Sequence, residues 1–241
     1  MVYDNERGRS LPEVIGHRGS PRDAPENTLP SFAGAFAAGA DGIELDVHAT
    51  SDGEVVVHHD AVTNARPNDS RPTVRLAEAT LLEVQAVSVA GERIPTLAEV
   101  LFAVPESSIV YVEVKASGIE REVVHTIRRS GRRCAVHSFD HRVAHRVGQL
   151  AADVPTGILQ TSYPVDPIRP MRDAGARDLW QHWELIDAAL IARVHEDQRR
   201  VIAWTVNEPA VAERLMDWGI DGICTDIPAV MRGVLDQRRR S

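Results

Sequence analysis

Short β-rich runs alternate with amphipathic helical runs along most of the chain. Apolar residues at every second position, or in unbroken runs of about 4–8, predict strands over Val14–His17, Gly42–Val47, Ile109–Val114, Cys134–Ser138, Pro155–Leu159, Asp178–Gln181, Val201–Val206 and Asp221–Thr225. Between them, apolar positions three and four apart predict helices over Leu29–Ala38, Leu97–Ala103, Glu120–Arg129, His141–Leu150, Asp166–Ala174, Asp187–Gln198 and Ala210–Trp218. Gly39, Gly131, Gly175 and Gly219 stand near helix ends, where a residue free to turn left-handed stops a helix. Strands that alternate with helices are joined by parallel crossovers. Eight of them close most economically into an α/β fold of the (β/α)8 type, the TIM barrel. The open doubly wound sheet is the alternative, but no glycine-rich phosphate loop follows the first strand.

One segment breaks the rhythm. After Val47 the chain reads His48-Ala49-Thr50-Ser51-Asp52-Gly53 and then Glu54-Val55-Val56-Val57-His58. Asp52-Gly53 between two extended runs predicts a hairpin, and the gap is too short for a parallel crossover. The second run is therefore an antiparallel arm beyond strand 2. From His59 to Pro95 periodicity is weak, and Pro67, Asn68, Pro72, Gly91 and Pro95 punctuate the stretch. A small insertion over about residues 48–95 thus follows strand 2 and leaves from the C-terminal face, where barrel enzymes hold their chemistry. With no repeat and no linker, residues 1–241 read as one domain.

Composition narrows the function. Hydrophobic residues make up 43% and charged residues 26%, which is globular. The net charge of −8, from 27 basic against 35 acidic residues, disfavours a nucleic-acid partner but leaves room for a small phosphorylated ligand. Cys134 and Cys224 each lie in an apolar run and read as buried reduced thiols, not a disulfide framework or a cysteine zinc site. A polar start and the absence of any apolar run of about 18 residues predict a cytoplasmic protein without integral membrane association. Arg238-Arg239-Arg240 reads as a solvated, frayed terminus.

Strand parity then picks out chemistry. Glu44 and Asp46 share one face of their strand, opposite Ile43, Leu45 and Val47; Glu113 and Lys115 lie opposite Val112 and Val114. Helices cover the outside of a barrel, so the apolar faces point outward and the acids point into the mouth. Three carboxylates there repel one another and resist desolvation unless something positive holds them. An oxygen-only set suits a hard cation, magnesium or calcium; the alternative is a salt-bridge network in which Arg18 and Lys115 neutralise the acids. His17 ends the first strand beside Gly16 and Gly19, and Arg18 offers a planar fork for phosphate. His59-Asp60 stands just past the hairpin arm above the same mouth, so His17 and His59 form a plausible acid/base pair. In Pro25-Glu26-Asn27-Thr28, Asn27 or Thr28 caps the first helix, or Glu26 or Asn27 shapes the metal site.

The stretch Ile15–Asp60 resembles the signature of the glycerophosphodiester phosphodiesterase family: HRG, then PENT, IELDV, DG and HHD, in that order. Val112-Glu113-Val114-Lys115, Ser138-Phe139-Asp140, Ile94-Pro95-Thr96-Leu97, Ala203-Trp204-Thr205-Val206-Asn207 and the closing Gly219–Pro228 also match, so the resemblance covers nearly the whole chain. It implies a barrel with a small insertion after strand 2. It also implies hydrolysis of glycerophosphodiesters to sn-glycerol 3-phosphate and an alcohol, with one divalent cation (Mg²⁺ or Ca²⁺, with Mn²⁺ also able to serve). By resemblance Glu44, Asp46 and Glu113 ligate the metal, and His17 and His59 exchange protons with nucleophile and leaving group. Arg18 and Lys115 hold the phosphate oxygens, while Trp204 walls the glycerol carbons or serves as a core tryptophan. The family commonly shows an arginine followed by threonines after its His-Asp pair. Here Arg66 is displaced by one residue and no threonine pair follows, which bears on the leaving alcohol. A neighbouring reading is phospholipase D-type cleavage of lysophospholipids, for which the insertion's apolar run Leu81–Val89 would supply a rim. A third is a barrel that binds glycerophosphoryl ligands without turnover.

Overall fold

The computed structural model describes residues 11–64 and 72–240. In chain order its strands are β1 (Glu13–His17), β2 (Gly42–Ala49), β3 (Val55–Val57), β4 (Ser88–Val89), β5 (Glu92–Arg93), β6 (Ile109–Val114), β7 (Arg133–Ser138), β8 (Thr156–Gln160), β9 (Asp178–His182), β10 (Arg200–Trp204) and β11 (Gly222–Thr225). Its helices are α1 (Leu29–Ala37), α2 (Leu81–Gln85), α3 (Leu97–Ala103), α4 (Glu120–Ser130), α5 (His141–Leu150), α6 (Ile168–Ala174), α7 (Ala188–Glu196), α8 (Pro209–Trp218) and α9 (Pro228–Arg240). Parallel pairing runs β1-β2-β6-β7-β8-β9-β10-β11 and closes back onto β1, which is a (β/α)8 barrel. The eight strands predicted from the sequence are the eight barrel strands, with ends shifted by one or two residues.

Parity of the strands sorts the side chains into two layers. Outward-facing Ile43, Leu45, Val47, Val110, Val112 and Val114 are buried against the helices, each contributing about 1.5–3 kcal/mol of burial. Inward-facing Ile15, Tyr111, Ala135, Leu159, Trp180 and Ile202 fill the barrel itself. Cys134 belongs to the outer layer and Cys224 to the inner one; both are free thiols and buried, as the sequence predicted. At the floor of the barrel Glu13 accepts hydrogen bonds from Tyr111 and Arg200, and Arg177 pairs with Asp178 at 2.6 Å, so the charges buried there are partnered.

The arm after β2 is antiparallel, with Val47 opposite Val57 and Ala49 opposite Val55, and Gly53 takes φ +85° in its turn as the Asp-Gly pair predicted. Beyond it a 3₁₀ turn (Leu76–Glu78), α2 and the β4–β5 hairpin pack Leu76, Ala79, Val84 and Ile94 against Val56, a small core of their own. Of the apolar run Leu81–Val89, Val84 is buried and Leu82 is exposed, so the run serves this core more than a rim. Arg66 lies outside the described residues. One expectation is corrected. Arg238–Arg240 are not a frayed terminus but the last turn of α9, a helix that buries Met231 and Leu235 and pairs Arg238 with Asp217 at 2.8 Å. Among the described residues no helix is long and apolar enough to cross a membrane.

Candidate active site

Register between neighbouring strands builds the site in two rows. His17 of β1 stands opposite Glu44 of β2; above that row, Asp46 of β2 stands opposite Glu113 of β6, and Glu113 opposite His137 of β7. His17, Glu113 and His137 are the last or next-to-last residues of their strands, and Glu44 and Asp46 lie within β2, which runs on past them toward the arm. With Arg18, His59, Lys115, Phe139, Trp180 and Trp204, most of them line a cavity of about 240 Å³ at the barrel mouth. That is smaller than the roughly 300–1,000 Å³ typical of drug-sized ligands, a volume for a small polar molecule. Larger grooves lie elsewhere on the surface, one of about 760 Å³ against α3 and α4, but among the described residues no comparable set of carboxylates converges there.

The loop after β1 sets its own geometry. Arg18 (φ +54°) and Gly19 (φ +93°) both turn left-handed. A side chain at Gly19 would collide with Ser31, whose hydroxyl instead donates to the Arg18 carbonyl at 3.0 Å and accepts from the Ser20 amide at 2.9 Å. This turn points the Arg18 amide at Glu44 (3.2 Å) and its Nε at Asp46 (3.2 Å), while Nη1 donates to Glu26 at 3.0 Å. The two readings of the Pro25–Thr28 segment divide between neighbours. Thr28 caps α1 by accepting from the Ser31 amide, whereas Asn27 reaches across to donate to Asp46 Oδ2 at 2.8 Å.

Lys115 completes the polar wall, with Nζ 2.8 Å from Glu113 and 3.5 Å from Asp46. The salt-bridge network expected as an alternative to a cation therefore exists, but it is incomplete. Burial would raise the Asp46 carboxyl, yet Arg18, Lys115 and Asn27 outweigh it and hold the group below its ordinary range. Burial together with repulsion from Asp46 and Glu113 pushes Glu44 far above the usual carboxylate range, and the Arg18 charge and the hydrogen bond from its amide do not offset them. Burial raises Glu113 as well, with the Asp46 charge adding to it against the pull of Lys115. Asp46 Oδ1 and both ring nitrogens of His137 are buried without hydrogen-bond partners. Ligand atoms of Glu44, Glu113 and His137 lie within 4.8 Å of one another, and this donor set fits a divalent cation.

Two histidines flank this cluster, each tied through Nδ1 to a carboxylate. His17 Nδ1 lies 2.7 Å from Asp226 Oδ1, and His59 Nδ1 lies 2.8 Å from Asp60 Oδ1. Asp226 is itself fixed: Asn207 Nδ2 donates to its Oδ2 at 2.6 Å, while Asn207 Oδ1 accepts from the Asp226 amide at 2.9 Å and the Thr225 hydroxyl at 3.1 Å. Burial would raise Asp226, but the His17 and Asn207 contacts hold it low. Both arrangements leave Nε2 as the ring nitrogen away from the carboxylate. Trp204 meets Phe139 (5.5 Å, 82°) and His182 (5.4 Å, 87°) edge to face, forming an aromatic wall over which Lys115 Nζ sits 6.0 Å from the Phe139 ring.

The site thus gathers every residue singled out in the sequence: His17, Arg18, Glu44, Asp46, His59, Glu113, Lys115 and Trp204. It adds His137, Asp226 and Asn207, to which the sequence reading gave no role. His137 shares the inward parity of Ala135 on β7 and was open to the same argument as Glu113. Asp226 and Asn207 sit on loops beyond strand ends, where parity says nothing.

Residues 17–230 match the glycerophosphoryl diester phosphodiesterase family. A glycerophosphodiester phosphodiesterase of Caldanaerobacter subterraneus subsp. tengcongensis is 32% identical over 234 residues, covering 90% of this chain and 95% of that one. A human lysophospholipase D is 24% identical, covering 98% and 90%. Among solved structures, glycerophosphodiester phosphodiesterase from Thermotoga maritima superposes with a TM-score of 0.81 at 25% identity, covering 94% of this chain and 99% of that one. An Oleispira antarctica phosphodiesterase, solved in complex with its product sn-glycerol-3-phosphate, shares the fold with a TM-score of 0.84 at 23% identity, covering 94% and 97%.

Proposed function

The chain belongs to the glycerophosphoryl diester phosphodiesterase family, and on that premise we propose that it hydrolyses glycerophosphodiesters to sn-glycerol 3-phosphate and an alcohol, with one divalent cation and two histidines. One observation carries the reading: two imidazoles, each oriented by its own carboxylate, face a small cavity lined by Glu44, Glu113, Arg18 and Lys115, with Asp46 ion-paired to both of those cations. Glu44, Asp46 and Glu113 hold the cation, Mg²⁺ or Ca²⁺, with Mn²⁺ also fitting an oxygen-rich set. When bound, it supplies charge neutralisation at the phosphodiester oxygens.

The chain's own residues do the rest. A phosphodiester anion repels an incoming oxygen nucleophile, so Arg18 and Lys115, already tethered to the acids, hold the phosphoryl oxygens and offset that charge. His17 accepts the proton of the nucleophile, either water or the glycerol 2-hydroxyl (in which case a cyclic phosphodiester forms and a water then opens it to glycerol 3-phosphate), and Asp226 stabilises the imidazolium that results. His59 protonates the leaving alkoxide, a poor leaving group without that proton. The assignment follows exposure. His59 and Asp60 are 33% and 58% exposed against 22% and 21% for His17 and Asp226, so the departing alcohol leaves on the solvent side. Trp204 and Phe139 wall the glycerol carbons.

The test is release of glycerol 3-phosphate from a panel of glycerophosphodiesters in EDTA and after adding Mg²⁺, Ca²⁺ or Mn²⁺. Metal-restored release supports the reading; no release with any metal overturns it. A second reading, phospholipase D-type action on lysophospholipids, draws on one observation. Phe139, Tyr163 and Val165, on the loops after β7 and β8, are exposed apolar side chains at the same end of the barrel. Cleavage of lysophosphatidylcholine as well as glycerophosphocholine would be its mark.

A further inference from the structure

His137 is 1% exposed, yet neither of its ring nitrogens has a hydrogen-bond partner. Buried polar atoms in folded proteins are nearly always satisfied, and two orphans on one ring call for an explanation. The ring cannot swing away to find partners. It lies flat on Trp180, with centroids 4.2 Å apart and planes 5° from parallel, and its backbone is fixed in register between Glu113 and Gly157. Gly157 leaves room for that stack: a Cβ there would stand 3.0 Å from the Trp180 ring. In this orientation His137 Nε2 lies 3.9 Å from Glu44 Oε1. Two ligand atoms bound at about 2.0–2.2 Å to one ion stand about 3–4.4 Å apart, so a nitrogen and an oxygen at this separation are placed to share one.

We infer that His137 is a nitrogen ligand of the cation site, making it a mixed nitrogen–oxygen site that selects Mn²⁺ or Co²⁺ over Mg²⁺ and Ca²⁺. The inference rests on the proposal that Glu44, Asp46 and Glu113 hold a cation; it keeps those ligands, adds His137, and moves the preferred ion from Mg²⁺ or Ca²⁺ to a first-row transition metal. Carboxylates alone suit hard ions, and adding imidazole moves the preference toward the first-row transition metals. The stack on Trp180 supplies the ring orientation that metal-bound histidines otherwise obtain from a hydrogen bond at the second nitrogen.

The full chain, stripped with chelator and loaded with Mn²⁺, would be examined by electron spin echo spectroscopy, unlabelled and with ¹⁵N-histidine. We expect a ¹⁴N coupling that changes on labelling. It should persist in the His17→Gln/His59→Gln double variant and vanish in His137→Gln. Mn²⁺ affinity in His137→Gln should fall by about 10–100-fold or more, since even supporting residues around a metal cost that much, while Ca²⁺ affinity falls far less. The double variant leaves the β7–Trp180 packing untouched and removes the other two imidazoles that line the cavity, so coupling that persists in it is assigned to His137, the remaining histidine of that lining, even if His137→Gln does not fold. Mn²⁺ bound without nitrogen coupling, or coupling lost in the double variant, overturns the assignment of His137 and leaves the cation proposal standing. No binding of Mn²⁺, Co²⁺, Mg²⁺ or Ca²⁺ to the unmodified chain overturns both.

Discussion

Replacing Asp226 by asparagine isolates one oxygen's worth of chemistry. The change keeps size and shape, so the mouth of the barrel keeps its packing. Asn207 decides how the new amide sits. Its Oδ1 already accepts from the Asp226 amide and the Thr225 hydroxyl, so its Nδ2 must continue to donate where it now meets Asp226 Oδ2 at 2.6 Å. An acceptor is needed there, which puts the carbonyl oxygen of the substituted side chain toward Asn207 and its NH₂ toward His17. His17 Nδ1, 2.7 Å away, must then accept instead of donate, and the ring proton moves to Nε2. A base whose facing nitrogen already carries a proton cannot take another from the nucleophile. The expected loss in kcat is about 10²–10⁴, or about 2.7–5.4 kcal/mol of barrier, with KM for glycerophosphocholine within about threefold because the phosphate-holding groups are unchanged. Steady-state kinetics with an enzyme-coupled assay for glycerol 3-phosphate, alongside a thermal melt, makes the measurement. Wild-type kcat in a folded Asp226→Asn variant would refute both the tautomer argument and the role of His17.

The other predictions test separate links. His59→Ala should lower kcat on glycerophosphocholine by about 10²–10⁴, but far less on a glycerol phosphodiester of p-nitrophenol, which departs without a proton; equal losses on both would remove His59 as the acid. Asp197 is held at a pKa of about 2 by its hydrogen bonds to Arg172 and Arg199. Its folded-state pKa lies below the ordinary 3.8, so its stabilising effect is full above that value and fades as pH falls toward about 2; the melting-point gap between wild type and Asp197→Asn should close over that window. Leu45→Ala empties a fully buried position between barrel and helices and should cost about 2–5 kcal/mol, a fall of roughly 4–20 °C in melting temperature. Replacing Tyr163 and Val165 together by Ser should lower any lysophosphatidylcholine turnover several-fold and leave glycerophosphocholine turnover unchanged; if both fall equally, these side chains do not contact an acyl chain.

The barrel and the acidic row were legible because both depend on short-range periodicity. Alternation in Gly42–Val47 and Ile109–Val114 fixes which side chains face inward whatever the rest of the chain does, and the structure keeps that parity. Helix α9 was obscured by its own end. Its polar residues crowd into the closing run Asp236–Arg240, which reads as a solvated terminus, although Met231 and Leu235 stand four apart and form the stripe that the helix buries. The dyad of His17 and Asp226 was hidden by distance. The two residues are 209 positions apart and meet only because β11 closes onto β1. Closure was predicted, but a predicted closure does not say which loop residue beyond β11 turns back over the mouth. His137 is a different case: the parity rule that found Glu113 applies to β7 unchanged, and a lone imidazole among apolar neighbours gave no reason to apply it.

The turn after β1 shows why the site needs particular residues and not merely charges in the right number. A non-glycine residue in the left-handed region costs about 1–2 kcal/mol, and Arg18 takes that conformation at φ +54°, with Asn27 following at φ +59°. The surroundings hold it there. The Arg18 carbonyl accepts from both the Asn27 amide at 3.0 Å and the Ser31 hydroxyl at 3.0 Å, so the loop is laced to itself and to the first turn of α1. An extended residue at this point would carry the chain along the strand direction and out of the mouth. Turned left-handed, one residue serves two acids, the amide reaching Glu44 and the guanidinium reaching Asp46. Asn27 then meets Asp46 from the other side, leaving Oδ1 of that carboxylate without a hydrogen bond and with only the Lys115 ammonium 3.5 Å away. The strained turn contacts the same two rows that hold the buried acids, the orphaned oxygen and the orphaned nitrogens. At the floor of the barrel, by contrast, the buried charges are partnered, with Glu13, Arg200, Arg177 and Asp178 meeting there. Two clusters of comparable charge on one scaffold, one satisfied and one left open toward a cavity, separate a structural network from a site that binds something.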